Sequence, residues 1–113
     1  MKTTWNIGLN NNPYTATLII DAITTAFPHN EGYIVAYREH MGEWEGKPEP
    51  TLVIEVIGEQ DAESMVALTK MMCIAFTQDA IAVRNDGDGH LVYRPEFTGD
   101  RYEFNSEFFH VII

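Results

Sequence analysis

The sequence predicts an α+β fold in which strands and helices succeed one another as βαββαβ, with further strand behind that core. Three observations carry the prediction. Period-two alternation recurs in several short stretches, two longer stretches carry apolar residues at helical spacing, and Gly, Pro, Asn and Asp punctuate the gaps between them.

The elements follow in order. Residues 3 to 9 alternate, with Trp5, Ile7 and Leu9 on one face and Thr4, Asn6 and Gly8 on the other, as a half-buried strand does. Asn12 followed by Pro13 then reads as an N-cap and a first helical position, where the missing proline N–H costs nothing. Leu18, Ile19, Ala22, Ile23 and Ala26 form the apolar stripe of a helix that stops near Phe27-Pro28. Gly32 to about Glu45 predicts a long strand. Lys47-Pro48-Glu49-Pro50 reads as a stiff exposed connection into the next strand, Thr51 to Ile57, giving an antiparallel hairpin with an extended tip. Asp61 can cap a second helix with Met65, Leu68, Thr69, Met72, Cys73 and Phe76 on one face, ending near Thr77 or Gln78. Ala80 to Arg84 is a strand, "NDGDG" at 85 to 89 a tight turn, and His90 to Tyr93 the strand that returns. Pro95 marks a break, after which Arg101 to Ile113 is expected to add one or two short strands ending in "EFFHVII".

That order is the ferredoxin-like arrangement, an antiparallel sheet with two helices on one face, here with extra C-terminal strands. Residues 1–95 are expected to form the α+β domain, and 96–113 an extension packed on the same domain or on a partner subunit. Exposed in isolation, the apolar end of the chain would be an aggregation hazard, and an open sheet face invites a homodimer.

The 113 residues suit one domain. Seventeen acidic residues against seven basic ones give a formal charge of −10, which repels nucleic acid and anionic membrane surfaces and favours basic partners. The excess concentrates in one segment, where Glu39, Glu43, Glu45, Glu49, Glu55, Glu59, Asp61 and Glu63 face only Lys47. The stretch Met1 to Asn6 has no apolar run of the signal-peptide kind, and no segment has the length of a bilayer span, so a soluble, cytoplasmic protein is expected. Cys73, the only cysteine, lies on the apolar helix stripe and reads as a buried, inert thiol.

Sites of chemistry are sparse. His29, His40, His90 and His110 fall on different elements with no metal-binding spacing, and "NDGDG" lacks the remaining ligands of a calcium loop, so neither metal nor cofactor is expected. Ser64 and Ser106 have no neighbouring base at a recognised spacing. Glu39 and His40 are adjacent on a strand and point apart. On a regular strand Glu39, Glu43 and Glu45 share one face, and Arg38, His40 and Trp44 the other, with same-face steps of roughly 6.7 Å. Such an acidic row imitates the phosphate spacing of a nucleic-acid strand. Trp44 is then either the anchor of the hairpin or an exposed contact residue.

The succession "TTWNIGL", "FP", "GYIV", "GEWEG", "EPTLVIEV" and "TQDAIAV" resembles a family of small uncharacterised domains of bacteria and their phages, with a Gly-x-Trp hairpin, a Glu-Pro-Thr strand start and a Gln-x-Ala-Ile segment leading into a strand. The resemblance implies a ferredoxin-like fold and a phage-associated protein acting in the host cytoplasm, and it supplies no catalytic residue. The expectation from charge and resemblance together is a non-enzymatic inhibitor: a DNA mimic in host defence evasion that occupies a basic, nucleic-acid-binding site of a host protein through Glu39, Glu43, Trp44, Glu45 and Glu49. The alternative is a protein that binds or sequesters a small, nucleotide-like ligand at a dimer interface, through Asn11, Asn12, Arg38, Arg84, Tyr93 and Arg94.

Overall fold

The computed structural model describes residues 1–112. Its strands are β1 (Lys2–Gly8), β2 (Ile34–Trp44), β3 (Lys47–Ile57), β4 (Ala80–Asn85) and β5 (Asp88–Tyr93), and its helices α1 (Ala16–Ala26) and α2 (Ala62–Ala75). All strands join one antiparallel sheet in the order β2-β3-β1-β4-β5. This is the predicted ferredoxin-like core, with β5 added at one edge.

Alternation sets the two faces. Trp5 and Ile7 of β1, Leu52, Ile54 and Val56 of β3, and Ile81 and Val83 of β4 are fully buried, and they form one core with Ile19 and Ile23 of α1 and Met65, Met72 and Cys73 of α2. Burying one such side chain is worth about 1.5–3 kcal/mol, so this layer supplies most of the driving force for folding. Trp5 keeps its polar end satisfied inside it: Nε1 donates to Thr69 Oγ1 at 2.9 Å, and the Thr69 hydroxyl donates to the Met65 carbonyl at 2.6 Å. Cys73 is buried against Val92 as expected, its thiol pushed up to about 12 by burial.

Three local expectations are corrected. The cap of α1 is Thr15, whose hydroxyl accepts from Leu18 N at 3.3 Å. Asn12 instead closes a turn, accepting from Tyr14 N at 2.9 Å and donating to the Gly8 carbonyl at 3.0 Å. Second, Lys47-Pro48-Glu49-Pro50 is not a connection; it is the first third of β3, paired with β2 from Trp44↔Lys47 onward. The turn is only Glu45-Gly46, both at positive φ (51° and 78°), the conformation two-residue hairpins require. Both prolines fit because their missing N–H groups lie on the β1 side of the strand, where Pro50 offers only its carbonyl, to Leu9 N at 2.9 Å. Third, residues 94–112 contain no strand. Side chains hold this segment where ladder bonds were expected, and its one regular piece is a short 3-10 turn at Ser106–Phe108. The expected strand end at Ile113 lies outside the described residues.

The segment lies on the sheet face opposite the helices. Asn6 of β1 grips the main chain of His110 with both atoms of its amide, and Arg38 Nε donates to the Val111 carbonyl at 2.9 Å. Nearer its start, the main-chain N–H of Tyr102 donates to the Tyr93 hydroxyl. The Phe104 ring occupies the space over Gly89 that any side chain there would fill. Among the described residues no helix is long and apolar enough to cross a membrane.

Candidate functional site

Between this segment and the sheet, at the end where β1 stops and the β2–β3 hairpin projects, lies a cleft of about 830 Å³. Its floor is built from small side chains on the open sheet face: Gly8 of β1, Gly42 of β2, and Ala80 and Ala82 of β4. Two of these glycines are required by close approach. A Cβ on Gly8 would stand 2.5 Å from the Glu49 carboxyl carbon, and one on Gly42 would stand 2.5 Å from Thr51 Oγ1. Gly8 therefore lets the Glu49 side chain lie flat across the floor.

Aromatic groups make the walls. Trp44, at the hairpin tip, meets Tyr102 edge to face with ring centroids 6.0 Å apart, and Phe104 and Phe109 pack together at 5.2 Å on the far side. Glu43, Glu45, Glu49, Asp79 and Glu103 supply five carboxylates to the lining, which contains no lysine or arginine. Glu49 is the most enclosed of the sequence-predicted acids there: burial raises its pKa above the ordinary carboxylate value, and the backbone N–H of Asn10 offsets part of that rise. Such a site favours a flat aromatic ligand carrying positive charge, because rings stack on it and both quadrupoles and carboxylates attract the cation.

The structure divides the sequence-predicted residues. Glu43, Trp44, Glu45, Glu49 and Asn11 line the cleft. Glu39 does not; it lies on the helix side of β2, beside a shallow groove along α1. The expected row of Glu39, Glu43 and Glu45 does not exist either, since Glu45 sits in the turn rather than on the strand. Asn12 is spent on its own turn, Arg38 on Val111, and Arg94 on Asp79 at 3.3 Å with its guanidinium over the Phe97 ring. Tyr93 anchors the C-terminal segment through its hydroxyl. Arg84 lies on the open face of β4, outside the cleft lining.

Sequence reasoning missed the far wall. Tyr102, Phe104 and Phe109 fall where the sequence predicts strand, and their spacing with intervening polar residues gives no signal of a wall. The four histidines show no shared spacing in the sequence, whereas the fold sets the His110 ring against that of His40, with centroids 3.8 Å apart and the planes tilted by 42°.

No family model and no curated protein sequence matches this chain. Its fold is similar to two solved structures. One is a phage SAM lyase in complex with S-methyl-5'-thioadenosine, at 18% identity over 86% of this chain and 92% of that one, with a TM-score of 0.53. The other is a phage SAM lyase in the apo state, at 17% identity over 86% and 91%, with a TM-score of 0.55. These likenesses establish the fold. Because the proteins that share it are enzymes, they also correct the expectation of a non-enzymatic inhibitor that mimics DNA, an expectation whose acidic row the hairpin geometry has already dissolved.

Proposed function

We propose that this chain is an enzyme of the SAM-lyase kind, binding S-adenosylmethionine in the cleft and releasing S-methyl-5'-thioadenosine. The observation that carries this reading is the cleft lining, five aromatic rings and five carboxylates with no lysine or arginine, on a fold shared with a phage SAM lyase bound to that nucleoside. A phage-associated origin, expected from the sequence resemblance, accords with both neighbours.

The substrate is a flat purine joined to a sulfonium and an α-amino acid, so it matches the lining piece by piece. Rings at Trp44, Tyr102, Phe104 and Phe109 offer faces and edges for the adenine and for the sulfonium, and the surrounding acids draw the cation in. In the reaction the bond between sulfur and the four-carbon amino-acid chain breaks and its electron pair stays on sulfur, which becomes neutral. The substrate's own carboxylate forms a new bond to the carbon that loses sulfur, closing a lactone, with no water added and no proton to be taken up.

Charge disappears from sulfur as this bond breaks. A carboxylate held against the sulfonium would therefore stabilise the reactant more than the transition state and slow the reaction. Glu49 serves better on the α-ammonium group, whose charge persists, while the aromatic walls hold the sulfonium with a softer field that costs less as the charge vanishes. Each protein residue then binds and orients, and the sulfonium supplies its own leaving group.

Purified protein incubated with S-adenosylmethionine, with products separated by liquid chromatography, tests the reading. The expected result is S-methyl-5'-thioadenosine accumulating in proportion to enzyme, with Trp44→Ala reducing the rate at least about tenfold, as losing a stacking contact of about 1.5 kcal/mol would. Unchanged substrate after prolonged incubation with folded protein would reject it.

A further inference from the structure

The wall of the cleft is not tied to the sheet by ladder bonds, so the few contacts that hold it decide whether the cleft is shut. Asn6 Nδ2 donates to the His110 carbonyl at 2.9 Å, and Asn6 Oδ1 accepts from His110 N at 2.8 Å. Arg38 Nε donates to the Val111 carbonyl at 2.9 Å. Between these grips the His110 ring packs on His40 with centroids 3.8 Å apart, and His40 Nδ1 lies 3.1 Å from Arg38 Nη1.

That last contact assigns a protonation state. A guanidinium only donates, so His40 Nδ1 must accept, which leaves the His40 proton on Nε2 and the ring neutral. A second proton on His40 would abolish the hydrogen bond and set a cation against Arg38. A proton on His110 would do the same at one ring's remove, against both His40 and Arg38. We propose that the His40–His110 pair is an acid-released latch: neutral and in contact, it holds the C-terminal segment over the cleft, and once protonated it lets that wall leave the sheet.

The other charged or titratable groups on this face are Lys2 of β1, Lys47, Glu49 and Glu55 of β3, Arg84 of β4 and Tyr93 of β5, and the segment itself carries Arg101, Tyr102, Glu103 and Glu107; none is hydrogen-bonded to either ring among the described residues. A proton gained by the pair is therefore met by Arg38 and by no hydrogen-bonded carboxylate among the described residues. In keeping with this geometry, the pKa of His110 is lowered, first by burial and then by His40 and Arg38. The docked segment thus binds fewer protons than the released one. Docking is at full strength above the ordinary histidine value of about 6.5 and weakens as pH falls from there through the lowered value. The inference concerns the movement of the wall and stands whatever ligand the cleft takes.

Hydrogen-exchange mass spectrometry on the full chain at pH 7.5, 6.5 and 5.5, with rates corrected for intrinsic chemistry, reads the latch directly. The expected result is a loss of protection over residues 102–112 between pH 6.5 and 5.5 while peptides of β1 and β3 keep theirs. The double variant His40→Gln, His110→Phe should hold the protection of 102–112 level across the range. Protection that is independent of pH in the wild-type chain overturns the latch whether or not the variant folds, as does a variant that retains the wild-type pH response.

Discussion

Glu49 shows how one residue can be asked to do conflicting things. Its carboxylate lies over Gly8 in a cleft that raises its pKa, so the folded chain binds that proton more tightly than the unfolded chain does. The sign follows from linkage. The stabilising contribution is complete below the ordinary carboxylate value and is lost as pH rises through the raised one, so the ionised form works against the fold. Glu49→Gln removes that burden with nearly the same shape. It should lower turnover of S-adenosylmethionine sharply while leaving the melting temperature equal to wild type or higher, as measured by calorimetry at pH 7.5. A variant that melts lower and turns over normally would place Glu49 in the scaffold instead. The sequence marked Glu49 as a contact residue through its charge, but not for this reason: nothing in the order of residues shows that Gly8 is its neighbour, because the two meet only across the register of β1 on β3.

At the scale of elements, legibility followed the strength of the local signal. Asp61 capped α2 as expected, accepting from Ser64 N at 2.8 Å, and the turn after Asn85 formed at Asp86-Gly87. The start of α1 was misplaced because Asn-Pro carries the same signal whether it caps a helix or closes the turn before one, and Thr15 stood three residues further on with an equally good hydroxyl. Thr15→Ala should therefore cost about 1 kcal/mol in chemical denaturation and leave ligand binding unchanged, since Thr15 is outside the cleft. The hairpin was misread for a related reason. Proline argues against a central strand, and only the direction of its missing N–H, which is invisible in sequence, makes Pro48 and Pro50 compatible with β3. The apolar end of the chain after the Pro95 break predicts one or two short strands in the C-terminal segment. Its aromatic residues are instead used one at a time, each ring in its own place: Tyr102 against Trp44, Phe104 over Gly89.

For the whole molecule, the sheet has two faces with separate duties. One carries the helices and the core that keeps the fold; the other carries a floor of small residues, a projecting hairpin and a wall of aromatic rings. The formal charge of −10 acts on both, as a field that repels anions and attracts cations. The central claim is that this cleft receives the nucleoside, and the chain carries its own reporters for it. It has two tryptophans: Trp5 is buried in the core with its indole N–H bonded to Thr69, and Trp44 faces the cleft. Titrating S-methyl-5'-thioadenosine into nitrogen-15-labelled protein and following the two indole N–H resonances by NMR should move the Trp44 signal in a saturable way and leave Trp5 in place. A Trp44 resonance that does not move at millimolar nucleoside, or two resonances that move together, would contradict the account.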